Sequence, residues 1–306
     1  LLRLSKDEFW FSLADSDIGI YLQGVNHDNR FDVVIDEIDV CPLQIQGPKS
    51  LALMKDLVEN QADIQNLPFY GMLEAKIGGH DCVISQSGFS GEAGFEIYLR
   101  DATLHADDLW YAVLEAGRKY RLMVTAPPHC RRIQAGILSW GQDMDNQHNP
   151  FQCNLGYQVS LSGKGEWNKV GNYIGKDVLE QMRSELKSGK KPYKLQLVGL
   201  KMGGKPIEDF ANDFWLISAD DFAEPCGFIT SPWFHPDEKT NIAMAYVPFD
   251  GTLNRHGFPI GNYGQKFKVH LPDKYAEKSG EPVNADVVKM PFTTSVNLNI
   301  REKIDS

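Results

Sequence analysis

Residues 85–98, Ser-Gln-Ser-Gly-Phe-Ser-Gly-Glu-Ala-Gly-Phe-Glu-Ile-Tyr, set three glycines (Gly88, Gly91 and Gly94) around one carboxylate, Glu92, with no cationic residue close in sequence. Glycine lets a backbone turn tightly and come near a ligand. An acid held in such a loop can accept two N–H donors from the edge of a flat ring, and a charge-assisted pair of that kind is stronger than a neutral one. The loop is therefore the place to look for a cofactor, against the alternative of an ordinary Gly-rich turn between strands that carries a solvated acid.

The elements that would position this loop can be read from periodicity. Residues 1–13 form two strand-like runs around a Ser-Lys-Asp-Glu turn. Asp15–Val25 carries Ile18, Tyr21, Leu22 and Val25 at helical spacing, with Asp15 or Ser16 as cap. Val33–Ile38 and Pro42–Gln46 alternate like strands, and Ser50–Val58 has a helical apolar face. Leu73–Ile77 and Asp81–Gln86 read as a hairpin turned at Gly78-Gly79, with Phe95–Leu99 as a strand and Leu104–Tyr120 as a longer amphipathic helix. Pro127-Pro128 breaks the chain, after which Arg131–Leu138 predicts a helix ending near Gly141, and Gly175–Ser184 another before the polar stretch Lys187–Lys191. From Tyr193 onward short strands alternate with turns such as Gly203-Gly204 and Asp250-Gly251, the pattern of a small barrel or sandwich. Hairpins interleaved with helices make the class α+β rather than a doubly wound parallel sheet.

Composition narrows the function classes. A 306-residue chain with 42% apolar and 24% charged residues is globular and long enough for more than one core. A net charge of −10 repels a phosphate backbone, so no nucleic-acid partner is expected. No apolar run approaches the ~20 residues a membrane span needs, so no membrane partner is expected either. Five dispersed cysteines without a C-x-x-C favour a reducing cytosol, that is, a cytoplasmic protein. The eight histidines are scattered, His148 and His235 read as surface loop residues, and no metal is expected. A chain that opens without Met on a strand at Leu1 reads as part of something longer.

Five blocks, namely Ile45–Lys49, Arg131–Val159, Phe228–Pro232, Asn241–Pro248 and Val287–Phe292, occur in the order found in the aminomethyltransferase (glycine-cleavage T-protein) family, which this sequence resembles along nearly its whole length. Phe9–Asp17 followed by Pro42–Ser50 looks closest to the tetrahydrofolate-dependent dimethylsulfoniopropionate demethylase branch. The resemblance implies a three-domain cloverleaf with a C-terminal small β-barrel and the N-terminal region missing. Its parts would be 1–38 with 126–186 as one α+β folate-channel domain, 39–125 as a second α+β domain carrying the Gly-Glu loop, and 193–306 as the barrel. The family's catalytic aspartate would lie upstream of Leu1.

By the same resemblance the cofactor is tetrahydrofolate, Glu92 grips the amino edge of the pterin, Phe89, Trp140 and Tyr157 wall its faces, and Ser12 lines the channel. Two positions depart from the family pattern. Pro127-Pro128-His129 stands where the family carries Ala-Arg-Asp, so a folate-site arginine is missing there, and Phe89 replaces the tyrosine of Gly-Tyr-Thr-Gly-Glu. A sulfonium methyl is already electrophilic and leaves behind a neutral thioether, so the enzyme has mainly to align it with the folate N5 lone pair. Trp10 and Tyr21 are the aromatic faces assigned to that cation. The leading expectation is thus demethylation of a small sulfonium. One alternative is the aminomethyltransferase of glycine cleavage, with a lipoyl carrier protein as partner. Another is a non-catalytic folate-binding protein of the kind that supports iron–sulfur assembly, although that group's Lys-Gly-Cys-Tyr signature is replaced by Phe151-Gln152-Cys153-Asn154.

Overall fold

The structure, a computed structural model, describes residues 1–13, 17–59, 61–127, 129–161, 173–220 and 224–293. It divides into two compact units, Leu1–Pro127 and Pro128–Ser306.

The first unit is built on a four-stranded antiparallel sheet in the order β3-β6-β5-β4, from β3 (Val40–Gln46), β4 (Met72–Ile77), β5 (His80–Ser85) and β6 (Gly94–Arg100). Side chains alternate across a strand, so each strand feeds two faces. Ile45, Ile77, Cys82, Ile84, Phe95, Ile97 and Leu99 face one side, where they form a core with Leu53 and Met54 of α2 (Ser50–Leu57), Ile64 of α3 (Gln61–Gln65), and Leu109 and Val113 of α4 (Ala102–Gly117). The opposite face carries Gln44, Gln46, Ser85, Glu96 and Tyr98. Part of it is covered by the first hairpin, β1 (Leu2–Arg3) with β2 (Phe9–Trp10), whose Leu2 and Trp10 pack on Val83 and Tyr98.

The predicted β4–β5 hairpin turns at Gly78 and Gly79, with φ of 60° and 83° in the left-handed region that glycine favours. Three expectations need correction. Residues 33–38 form no strand: sheet pairing begins at Val40, opposite Arg100, and alternation without a partner strand is not enough. The first helix, α1, runs Ile18–Asn29 rather than from Asp15, and none of its residues is buried. Its proposed caps Asp15 and Ser16 lie outside the described residues. The long helix starts at Ala102 and tightens into a 3-10 turn over Arg118–Tyr120.

The second unit is a closed antiparallel barrel of six strands in the order β10-β7-β12-β11-β8-β9, which resolves the barrel-or-sandwich choice. Its strands are β7 (Leu195–Met202), β8 (Leu216–Ser218), β9 (Gly227–His235), β10 (Thr240–Pro248), β11 (Lys266–Val269) and β12 (Val283–Val288). Closure leaves no open edge. Val198, Leu200, Ile217, Ile229, Ala243, Ala245, Phe267, Val269 and Ala285 fill its interior. On its outer wall Ile242 packs with Ile133 of α5 (His129–Gln134). That helix is shorter than predicted, because Gly136 turns to φ 65°. A further helix, α6, spans Lys176–Lys187. His235, expected on a surface loop, ends β9 and is 1% exposed.

Candidate functional site

In the first unit the Gly-Glu loop and the Ile45–Lys49 block prove to be one interlocked piece. Gln46, opposite Gly94 in the β3–β6 register, sends its carboxamide under the loop. Its Nε2 donates to Ser87 O at 3.1 Å, and its Oε1 accepts from Ser90 Oγ at 2.6 Å. The Ser90 hydroxyl accepts in turn from the Glu92 backbone N–H at 3.1 Å. Gly47 N and Ser50 Oγ both donate to Ala93 O, at 2.7 and 3.2 Å. A Cβ on Gly88 or Gly94 would sit 2.1 or 2.4 Å from that carboxamide. Two of the three glycines therefore make room for Gln46 rather than for a ligand. Gly91 supplies the bend, at φ 74°. The result is a loop fixed from below, with Glu92 half-buried at its turn.

Beside it on the polar face lies a second carboxylate. Glu96 accepts from Gln44 Nε2 at 2.8 Å, from Tyr98 OH at 3.3 Å and from the Ser87 hydroxyl. Burial, followed by the negative charge of Glu96, pushes the Tyr98 phenol up to about 12, so it stays protonated and donates. Ser12 follows β2 and is exposed. Residue-by-residue reading missed Glu96 and Gln46. The available signal was the polar alternation Glu96, Tyr98, Arg100 along β6, a second face that had to meet something other than the core.

The other expected site residues fall as follows. Phe89 is half-buried in the loop beside Glu92. Trp10 is 9% exposed, and the Arg100 guanidinium already stands over its ring at 4.5 Å. Tyr21 projects from α1 and is 58% exposed. Trp140 and Tyr157 belong to the second unit. Trp140 is exposed at the start of a turn bridged to Met144, while Tyr157 borders a cleft of about 130 Å³ with Leu138, Phe258 and Met290.

The second unit also holds a buried ion pair that sequence reading passed over. Arg132 Nη1 meets Asp143 Oδ2 at 2.7 Å, with both side chains sealed from solvent. Asp143 also accepts from Ser139 N at 2.8 Å, Thr230 Oγ1 at 2.6 Å and Ser231 Oγ at 2.5 Å. Arg132 donates further to Ile137 O, Gln142 Oε1 and Ser231 Oγ. With every charge-bearing atom partnered, the pair fastens α5 and the 139–143 turn to the outside of β9. Burial and the adjacent guanidinium hold the His129 imidazole down at about 4, so it is neutral beside Arg132.

Residues 1–163, more than half the chain, match the family model described as the GCVT N-terminal domain. The chain belongs to the GCVT family. Among GCVT relatives, the dimethylsulfoniopropionate demethylase of Ruegeria pomeroyi is 31% identical over 248 residues, covering 80% of this chain and 62% of that protein. An aminomethyltransferase of Caldanaerobacter subterraneus subsp. tengcongensis is 30% identical over 228 residues, covering 73% of this chain and 55% of that protein. The crystal structure of glycine cleavage system aminomethyltransferase T from Bartonella henselae matches with a TM-score of 0.61 at 21% identity, over 89% of this chain and 66% of that one. At that identity the likeness is one of fold, and it agrees with the α+β class and the C-terminal barrel. The chain spans less than two thirds of the length of each of these relatives. No described helix is long and apolar enough to cross a membrane.

Proposed function

We propose that this GCVT-family chain binds tetrahydrofolate on the polar face of its first sheet and serves a one-carbon transferase that moves a methyl group from a small, dimethylsulfoniopropionate-like sulfonium to the folate N5. The observation that carries the reading is the Glu92 loop. A carboxylate on a bend braced by Gln46, Ser90 and Ser50 is pre-positioned, so gripping the amino edge of a pterin costs little ordering. Phe89 in the same loop offers an apolar wall, and Ser12 of the same unit is a further proposed contact; Trp140 and Tyr157 belong to the second unit, and their assignment rests on the family likeness alone. The sulfonium preference rests on the Phe9–Asp17 and Pro42–Ser50 blocks and on the Ruegeria relative. Trp10 and Tyr21 are proposed to face the sulfonium; Tyr21 is exposed, while Trp10 is buried with Arg100 over its ring and Val83 and Tyr98 packed against it.

Within this reading the chain's own groups bind and orient, and folate supplies the nucleophilic N5 when bound. Transfer needs the methyl carbon held in line with that nitrogen, with departure of a neutral thioether. The proposed three-part division, 1–38 with 126–186, then 39–125, then 193–306, follows the same family likeness; the proposed cytoplasmic location rests on the five dispersed cysteines. A second reading, the aminomethyltransferase of glycine cleavage, is favoured by the retained Gly91-Glu92 pair and by the Caldanaerobacter relative.

Calorimetric titration with 5-formyltetrahydrofolate tests the cofactor assignment. Glu92→Ala should lose one charge-assisted pair, about 1.5–3 kcal/mol or roughly 10- to 150-fold in affinity. Unchanged affinity refutes the role of Glu92. Incubation with tetrahydrofolate and either dimethylsulfoniopropionate or an aminomethyl-lipoyl carrier separates the two donors. Methyl-folate from the first supports the leading reading, and methylene-folate from the second alone replaces it.

A further inference from the structure

On the helix-covered side of the first sheet, away from the polar face, two imidazoles and a carboxylate converge. His80 opens β5 directly after the Gly78-Gly79 turn, while His105 and Asp108 stand three residues apart on α4, on neighbouring positions of one helix face. His80 Nε2 lies 3.3 Å from Asp108 Oδ2, and His105 Nδ1 lies 4.0 Å from the same oxygen. The two rings stack, with centroids 4.1 Å apart and planes 25° from parallel. One ligand atom from each residue falls within 4.8 Å of the others.

As a simple ion pair this arrangement is poor. Protonating both rings would set two cations face to face, and one carboxylate oxygen would have to serve both. As a ligand set it is coherent. Imidazole nitrogens with a carboxylate oxygen suit a borderline divalent ion, and either ring nitrogen can ligate. Donors at 2.0–2.1 Å from a tetrahedral ion stand about 3.4 Å apart. The His80–Asp108 pair already has nearly that spacing, and drawing His105 in needs only a shift of order 1 Å in side chains that border solvent. We propose that His80, His105 and Asp108 form a binding site for a divalent transition-metal ion, best matched by Zn²⁺, with water completing the coordination. The ion would clamp the tip of the β4–β5 hairpin to α4 and stabilise the unit that carries the Glu92 loop.

The test is titration of the chelator-treated, reduced chain with Zn²⁺ by calorimetry and thermal melting, alongside His80→Gln, His105→Gln and the control His256→Gln. Wild type and His256→Gln should bind one ion and melt higher with Zn²⁺ present. Either cluster substitution should weaken binding about 100-fold, at least the loss typical of disturbing a ligand's support. Paramagnetic Co²⁺ should broaden the ring NMR signals of His80 and His105 ahead of the other histidines, which reports the site in the wild-type chain without relying on a variant. Absence of saturable binding, cluster variants that bind as tightly as wild type, or Co²⁺ broadening elsewhere would each overturn the proposal.

Discussion

Replacing Gly88 by alanine should destabilise the first unit by an amount set by one side chain. The added Cβ would stand 2.1 Å from Gln46 Oε1 and 2.3 Å from Nε2. The carboxamide must swing away and surrender both of its bonds, to Ser87 O at 3.1 Å and from Ser90 Oγ at 2.6 Å. At about 1 kcal/mol net for each hydrogen bond, and somewhat more because Ser87 and Ser90 are buried, the loss is about 2–3 kcal/mol. Alanine returns about 0.4–1 kcal/mol by restricting the unfolded chain, leaving a net cost of about 2 kcal/mol. In a Gln46→Ala background both bonds are already gone and the space is open, so Gly88→Ala should be neutral or slightly stabilising there. Urea unfolding of wild type, the two single variants and the double variant measures the coupling, expected at about 2–3 kcal/mol because alanine's effect on the unfolded chain is common to both backgrounds. A coupling below about 0.5 kcal/mol would show that Gln46 is not what makes residue 88 a glycine.

Truncating one partner of the buried pair in the second unit, as in Asp143→Ala, strands the Arg132 guanidinium without its counter-charge and should cost about 3–5 kcal/mol by chemical denaturation; a loss under 1 kcal/mol would contradict the network. His129 titrates at about 4 in the folded chain against its ordinary 6.5. Between those values the unfolded state binds a proton that the folded state does not, so this group's contribution to stability is complete above pH 6.5 and is lost as pH falls toward 4. His129→Asn should flatten that part of the stability profile, and an identical slope in wild type and variant would show that the imidazole is not held neutral.

Much of the architecture was legible because it depends on local chemistry. The Gly78-Gly79 turn, the apolar spacing of Leu51, Met54, Leu57 and Val58, and the short strands after Tyr193 each express a preference that a few neighbouring residues enforce. The Gly-Glu loop could be picked out in the sequence as three glycines around Glu92, but the reason for two of those glycines could not. Gly88 and Gly94 are occupied from 42 and 48 residues away in sequence by Gln46, and no window of sequence contains that contact. Residues 33–38 failed for the converse reason, since a strand exists only where another strand pairs with it. Sequence alone determined that the chain is a GCVT-type α+β protein with a barrel at its C-terminal end and an acid at a glycine-rich bend. Tertiary structure alone decided that Gln46 braces that bend, that Arg132 and Asp143 are sealed together, and that His80 meets His105 and Asp108. Each of these is a polar contact fixed by geometry that exists only once the strands and helices have packed, and for Arg132 and Asp143 by the burial that Thr230 and Ser231 of β9 complete.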